Sequence, residues 1–172
     1  MSTVLTPSAG RRIDPTLFDE VDGTLRLLGS ACDDCATVAF PAQGSCPRCT
    51  GQRVHPHPLA TEGTLWAFTV QQFPPKPPYV GAAVPFRPYG VGYVDLAGEV
   101  LIESRLLVSD AGDLRVGLPM RLVLEALPCT DDEHLWTFAF EPLSPLEAEV
   151  VEPRDDEPRD IEAREFEGGV TR

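Results

Sequence analysis

"CDDCATVAFPAQGSCPRCTG", residues 32–51, contains two C-x2-C pairs with ten residues between them. Each C-x2-C turn presents two sulfur atoms and can donate backbone N–H groups to them, so two such turns can direct four thiolates at a common centre. Four converging thiolates are the ligand set of a tetrahedral metal site. The spacing therefore predicts a metal site formed by Cys32, Cys35, Cys46 and Cys49.

Paired cysteines also occur in disulfides and in redox motifs, and both alternatives fit this chain less well. Disulfides need an oxidising compartment, and the N-terminal "MSTVLTPSAGRR" lacks the apolar run of a signal peptide. A thioredoxin-like motif has one reactive C-x-x-C in an α/β context, whereas two pairs occur here among turns and strands. His55 and His57 are spare as ligands beside four cysteines, and Cys129 stands alone.

The residues around the cysteines bear on the identity of the metal. The second pair, "CPRCTG", resembles the "CPxCG" of iron-binding rubredoxins with Thr50 before the glycine, while the first pair, "CDDCA", has no following glycine. A ribbon of this size has little core of its own, so a closed metal site would supply its folding energy. We expect a redox-silent, structural zinc ion, with iron as the alternative.

The segments on either side of the cysteines delimit the ribbon. Upstream, Asp14 followed by Pro15 is typical of a helix start and Gly23 of a helix stop, which predicts a short N-terminal helix. Residues 24–31, "TLRLLGSA", are expected to be extended. Downstream, "TGQRVHPHPLATEG" is rich in turn-forming residues and predicts a boundary near residues 55–63.

After residue 63 the pattern changes to short segments rich in β-branched, aromatic and aliphatic residues, each bounded by Gly, Pro or Asp. The five segments begin at Thr64, Tyr89, Val100, Met120 and Leu135. Trp136, Phe138 and Phe140 alternate along the last one, as residues on one face of a half-buried strand do. We expect these three aromatic residues to pack in the core. Five strands over this length predict a small Greek-key barrel of the OB type.

One connection is unusually long. "FPPKPPYVGAAVPFRPYG", residues 73–90, joins the first two predicted strands, whereas loops in compact domains commonly have about 4 to 6 residues. Its prolines fix φ and remove backbone donors, so the segment should be stiff and extended. Because it also carries aromatic residues, it is suited to contact a partner or to seal one end of the barrel.

The charge of the chain limits the classes of partner. The 172 residues carry a formal net charge of −13, with Lys76 as the only lysine. A protein that binds nucleic acid must neutralise several phosphates, so this charge argues against a nucleic-acid partner. No stretch approaches the roughly 20 apolar residues needed to cross a bilayer. We expect a cytoplasmic protein that does not bind membranes.

The C-terminal segment completes the predicted organisation. It has ten acidic and four basic residues, and such a composition cannot bury enough apolar surface to offset the entropy lost on ordering. The predicted fold is mainly β. Its parts are an arm with the short helix over residues 1–23, the zinc ribbon over residues 24–60, the OB-type barrel over residues 61–146 and an acidic disordered tail over residues 147–172.

The order of these parts resembles the family of rubredoxin-like zinc-ribbon plus OB-fold proteins that are associated with acyl-CoA metabolism. Beyond the cysteines, the resemblance rests on "GTLWAFTV", "PPY", "PYGVGYVDL" and "VGLPMRLVLE", and it covers roughly residues 14–145. It implies a non-catalytic companion of a thiolase-like enzyme, a group that includes aldolases cleaving steroid side-chain CoA thioesters. The chain itself has no nucleophile motif and three histidines, which fits a subunit required in a complex rather than an enzyme by itself.

We further hypothesise a hetero-oligomer in which the ribbon and the long loop pack on the thiolase-like or aldolase subunit and help form the entrance of its CoA tunnel. Cations would meet CoA phosphates or partner carboxylates, and aromatic rings would meet the pantetheine or an apolar partner surface. The loop candidates are Lys76, Tyr79, Phe86 and Arg87, and the ribbon candidates are Arg48 and Arg53.

Two other functional classes make distinct predictions. An OB barrel that binds single-stranded nucleic acid would expose Trp66, Trp136 or Tyr93 for base stacking. A rubredoxin-like electron carrier would hold iron in its ribbon and be red.

Overall fold

β-Strands make up nearly all of the regular structure. The computed structural model describes residues 10–76, 85–108, 110–127 and 135–143. The strands are Arg11–Arg12 (β1), Phe18–Val21 (β2), Thr24–Cys32 (β3), Val38–Ala39 (β4), Val54–Pro58 (β5), Glu62–Gln71 (β6), Tyr89–Leu96 (β7), Val100–Leu106 (β8), Pro119–Leu127 (β9) and Leu135–Pro142 (β10), with a 3-10 turn at Ala111–Asp113. Within these ranges no helix has the length and apolar character needed to cross a bilayer. The acidic tail and Cys129 lie outside the described residues.

The strands β6 to β10 close into a barrel. They are adjacent in the order β6-β7-β8-β10-β9, and β9 pairs with β6 to complete the circle. β8 and β10 are parallel where Leu106 meets Phe140, and the other barrel neighbours are antiparallel. β1 pairs with the beginning of β10 at Leu135 and Trp136. The five predicted strand segments and the OB-type barrel are therefore confirmed.

Alternate residues of the barrel strands point into one hydrophobic core. Leu65 of β6 and Val94 of β7 are fully buried, and burying a side chain of this kind stabilises the fold by about 1.5 to 3 kcal/mol. Trp136, Phe138 and Phe140 all belong to this core, Phe138 being partly buried. The predicted inward face of the last strand is thus confirmed.

The predicted N-terminal helix is wrong. Residues 14–17 form a turn in which Asp14 accepts hydrogen bonds from the backbone and the hydroxyl of Thr16, and β2 follows. β2 and β3 form a hairpin with Val21 opposite Thr24. Its two-residue turn is Asp22-Gly23, with φ of 52° and 73°. Asp-Gly is a strong signal for this turn because both positions need positive φ, and Gly23 marks the hairpin rather than a helix end.

β3 joins the ribbon to the barrel. It pairs with β2, β4 and β5 along its length. Leu27 of β3, Phe18 of β2 and Leu59 after β5 are at most 1% exposed and belong to the same core as the barrel residues. The Phe40 ring also packs edge-on against Phe138 of β10, with 5.7 Å between centroids. The ribbon and the barrel therefore share one core.

Candidate functional site

The two cysteine turns have the same backbone construction. The N–H of Ala36 donates to the carbonyl of Cys32 at 2.9 Å, and the N–H of Thr50 donates to the carbonyl of Cys46 at 3.0 Å. Ala36 and Thr50 directly follow the second cysteine of their pairs and have φ of 55° and 59°. This left-handed conformation favours glycine and costs other residues about 1 to 2 kcal/mol. The rubredoxin-like glycine is thus absent from both turns although its backbone conformation is present.

The sulfur atoms of the four cysteines that were predicted to bind a metal ion lie close together. The Sγ atoms of Cys32, Cys35, Cys46 and Cys49 all lie within 4.8 Å of one another. Cys32 and Cys49 are 3.6 Å apart at sulfur, and Cys35 and Cys46 are 3.5 Å apart. Zinc–sulfur bonds of about 2.3 Å in a tetrahedron place the sulfurs about 3.8 Å apart. The cluster therefore fits a tetrahedral divalent metal ion.

Hydrogen bonds around the cluster favour the thiolate form of two sulfurs. Thr37, whose hydroxyl is 3.2 Å from the Cys35 sulfur, lowers the pKa of Cys35 to about 6 through its side chain and backbone. The backbone N–H of Cys49 points at the Cys46 sulfur at 3.5 Å and lowers the pKa of Cys46.

The fourth sulfur behaves differently. The N–H of Gly51 lowers the pKa of Cys49, but the three neighbouring sulfurs together raise it to about 12. A fourth negative charge is unfavourable beside three sulfurs unless a cation compensates it, and a bound metal ion would do so.

The ribbon arginines occupy unequal surroundings. The guanidinium of Arg53 forms an ion pair with Asp34, between the first two cysteines, and this contact raises the pKa of Arg53. The backbone N–H of Arg48 donates to the Cys46 sulfur at 3.4 Å while the residue is exposed. Arg48 therefore leaves its charge available to a partner, whereas Arg53 is engaged within the ribbon.

Three of the predicted loop residues lie in the described parts of the connection between β6 and β7. Lys76 and Arg87 are exposed, and Phe86 is partly buried with its ring 6.2 Å from that of Tyr89. Tyr79 lies outside the described residues. Arg87 lines an open cleft of about 900 Å³ together with Val70, Gln72, Pro88, Val108, Asp110 and Gly112. Among the described residues, the cleft offers one cation, Arg87, and apolar walls, with the carboxylate of Asp110 also present.

An ion pair on the outer face of the barrel was not predicted from the sequence. Arg105 of β8 and Glu125 of β9 are 3.2 Å apart, with side chains 25% and 12% exposed. The Arg105 guanidinium lies 4.5 Å from the Tyr89 ring centre. Burial raises the pKa of Glu125, and Arg105 partly opposes this effect. The pair joins strands on either side of β10, so only the barrel topology could reveal it.

Two strand aromatics, Trp66 and Tyr93, are not in the core. Trp66 and Tyr93 are 58% and 41% exposed, whereas Trp136 is 8% exposed. Trp66 lies at an irregularity in the pairing of β6 with β7, between Leu65 and Ala67. Ala67 is opposite Tyr93, so Tyr93 belongs to the outward set of the alternating pattern.

Two family models match consecutive parts of the chain. The model described as ChsH2, rubredoxin-like zinc ribbon domain, matches residues 23–55. The model described as ChsH2, C-terminal OB-fold domain, matches residues 56–125. The matched regions contain the four-cysteine cluster, the first three barrel strands and most of the fourth.

Two curated relatives and one solved structure are similar to the chain. The benzoylsuccinyl-CoA thiolase subunit BbsA of Thauera aromatica is 31% identical over 80 residues, which are 46% of this chain and 51% of that protein, so the match spans about half of the relative. A DUF35 domain-containing scaffold protein of Methanocaldococcus jannaschii is 23% identical over 115 residues, 66% of this chain and 78% of that protein. A chain in the structure of the Ltp2-ChsH2(DUF35) aldolase superposes with a TM-score of 0.50 at 25% identity, covering 68% of this chain and 84% of that chain.

Proposed function

The chain belongs to the ChsH2 family, in which a rubredoxin-like zinc ribbon precedes an OB-fold domain, and on this basis we propose that it is a non-catalytic accessory subunit. It binds a thiolase-like partner in a hetero-oligomer and supports the acyl-CoA chemistry of that partner. The observation that carries the proposal is the four-sulfur cluster on a ribbon that shares its core with an OB-type barrel.

The names of the similar proteins support this choice of partner. One relative is a subunit of a CoA-thioester thiolase, one is a scaffold protein, and the solved neighbour is part of an aldolase. The finer proposal is that the partner carries out retro-aldol cleavage of a steroid side-chain CoA thioester. The acyl-CoA ligand would then be shared between the two subunits.

The metal in this proposal is a zinc ion held by Cys32, Cys35, Cys46 and Cys49. Zinc in a closed four-cysteine site has no redox chemistry and contributes folding energy. The ribbon residues hold the cysteine turns in position through the backbone hydrogen bonds at Ala36 and Thr50. The site therefore has a structural role in the assembly.

The proposed contacts with CoA involve the connection between β6 and β7. Arg87 and Lys76 would meet phosphate groups, and Phe86 and Tyr79 would meet the pantetheine or an apolar surface of the partner. The position of Arg87 in the cleft supports this assignment. Arg48 would contribute from the ribbon, and Arg53 would do so only by leaving its ion pair with Asp34.

Two of the histidines, His55 and His57, contact carboxylates. His55 Nδ1 is 2.8 Å from Asp33, and His57 Nε2 is 3.3 Å from Glu99 on the barrel. Neither contact places a nucleophilic hydroxyl or thiol beside the imidazole, which is the arrangement that nucleophilic catalysis requires.

Co-purification tests the proposal directly. The tagged chain is mixed with each thiolase-like protein of its source organism, followed by light-scattering chromatography, metal analysis and assays of CoA-thioester cleavage. We expect about one zinc per chain, a stable hetero-oligomer, and partner activity that depends on the chain. Cleavage of a CoA thioester by the chain alone, or monomeric behaviour with every such protein, would contradict the proposal. A red, iron-containing preparation would instead support an electron carrier.

Single-stranded nucleic-acid binding is a second candidate because Trp66 and Tyr93 are exposed on the barrel. Base stacking on exposed aromatics is the common mode of such proteins. The surface around these rings is acidic, however, as described below. Anisotropy measurements with a labelled oligothymidine at low salt distinguish the two functions, and we expect no binding.

A further inference from the structure

Among the described residues, three exposed large apolar side chains lie on consecutive strands of the barrel, apart from others such as Phe73 and Val116 in connecting segments. Trp66 of β6, Tyr93 of β7 and Leu101 of β8 are 58%, 41% and 43% exposed. These strands are consecutive neighbours in the sheet. We name the outward-facing side of the three strands the β6–β8 face. Apolar exposure on adjacent strands is typical of surfaces that bind another molecule.

The strand register shows that Tyr93 and Leu101 share a face, and Trp66 adjoins Ala67, which is opposite Tyr93. Tyr93 is opposite Ala67 on one side and Glu103 on the other. Two residues along β7, Asp95 is opposite Leu101. The intervening Val94 and its partner Ile102 are buried in the core, so Tyr93, Asp95, Leu101 and Glu103 all point outward.

The Tyr93 ring is held in place on this face. Its hydroxyl donates a 2.9 Å hydrogen bond to the carboxylate of Glu103. A side chain that is already restrained loses less conformational entropy when a partner covers it. Tyr93 is therefore suited to be part of a preformed contact surface together with Trp66.

The charges on the β6–β8 face are acidic. Asp95 and Glu103 carry its carboxylates, and the guanidinium of Arg105 on the same side of β8 is held by Glu125. A nucleic acid would be repelled by this face. The acidic tail, with ten acidic and four basic residues, would be repelled as well. A second copy of the chain in a two-fold arrangement would bring the same carboxylates together.

From this combination we propose that the β6–β8 face is the docking surface for the thiolase-like subunit, whose matching surface is apolar at its centre and carries Lys or Arg at its rim. The assignment rests on the proposed function. Trp66 and Leu101 supply the apolar contact area, Tyr93 a fixed aromatic ring, and Asp95 and Glu103 the charges that orient the partner. Tryptophan and tyrosine are the residues that most often dominate such interfaces.

The test measures affinity for the thiolase-like protein that co-purifies with the unmodified chain, by isothermal titration. Trp66→Thr and Leu101→Thr remove apolar area from the face while keeping residues that favour strands. Ile13→Thr is the matched control, because Ile13 is 48% exposed and its backbone bonds to Trp136 on β10. Glu103→Lys reverses a rim charge. Zinc content and circular dichroism establish that each variant is folded.

We expect Trp66→Thr and Leu101→Thr each to weaken binding at least about 10-fold and the control to change it less than about 2-fold. Glu103→Lys should also weaken binding, and rising salt should weaken it for the unmodified chain. Acrylamide quenching of Trp66 fluorescence in a Trp136→Phe background should fall when the partner is added.

Several results would overturn the inference. If the unmodified chain binds the partner and both face variants bind like the control, the docking surface lies elsewhere although the proposed function stands. If the unmodified chain binds no thiolase-like protein, both proposals fail. Oligothymidine binding that Trp66→Thr abolishes would identify a nucleic-acid surface, and dimerisation that Trp66→Thr abolishes would identify a second copy as the occupant.

Discussion

Metal removal is expected to unfold the cysteine-bearing part of the ribbon while the barrel stays folded. Between residues 33 and 53, Ala39 and Cys46 are the buried apolar side chains, and Val38 and Phe40 are partly buried against the shared core. Such a segment has little burial with which to offset the entropy of ordering its backbone. The opposite end of the ribbon contributes Phe18, Leu27 and Leu59 to the shared core.

The size of the effect follows from the contribution of the metal. A ligand present at 100 times its dissociation constant stabilises the state that binds it by about 2.7 kcal/mol, and structural zinc binds more tightly than that at ordinary concentrations. Amide exchange in residues 33–53 should therefore accelerate at least about 100-fold. Phe18, Leu27 and Leu59 lie in the shared core, and each contributes about 2 kcal/mol through burial. Because this contribution does not depend on the metal, exchange in β6–β10 should change less than about 3-fold.

Hydrogen–deuterium exchange read by mass spectrometry separates these regions. The metal is removed with a chelator in one experiment and by Cys46→Ser in another, and Cys129→Ser is the cysteine control. Loss of protection in β6–β10 as large as that in residues 33–53 would refute the reasoning, because the barrel would then depend on the metal. Unchanged exchange in residues 33–53 after complete metal loss would refute it as well.

Three further predictions concern stability and are measured by denaturant titration of the metal-loaded chain. Thr50→Gly should stabilise the chain by about 1 kcal/mol because it relieves the positive φ of that position, while Thr69→Gly in β6 should destabilise it by about 0.5 to 1 kcal/mol. If both substitutions changed the free energy of unfolding in the same direction, the strain assigned to Thr50 would be contradicted. Leu59→Ala should destabilise the chain by about 2 to 5 kcal/mol, and a loss below 1 kcal/mol would contradict a shared core. Arg105→Gln should destabilise the chain at pH 7 more than Glu125→Gln does, because it leaves a buried carboxylate unpaired. Burial raises the pKa of Glu125, so protonation of this carboxylate favours the folded state. The loss of stability caused by Arg105→Gln should therefore shrink as pH falls from 7 to 5. A loss of stability that grows over this range would contradict the Arg105–Glu125 contact.

Much of the fold could be predicted from local sequence patterns. The cysteine spacing predicted a cluster that the structure assembles, because a C-x2-C turn closes within a few residues and is hardly affected by the rest of the chain. The β-strands were predictable because alternation and bounding Gly or Pro residues are local features as well. The helix error was also local, since Asp22-Gly23 marks a hairpin turn.

Long-range register decided the rest. An alternating strand pattern indicates which residues share a face, but only the closed barrel determines which face is covered. For that reason the sequence by itself determined the four-cysteine ribbon and the number of barrel strands, whereas the tertiary structure decided that Trp66 and Tyr93 are exposed and that Arg105 meets Glu125. The Arg105–Glu125 contact joins two strands that are separated in the sheet by β10, and its geometry follows from the order in which the strands pair.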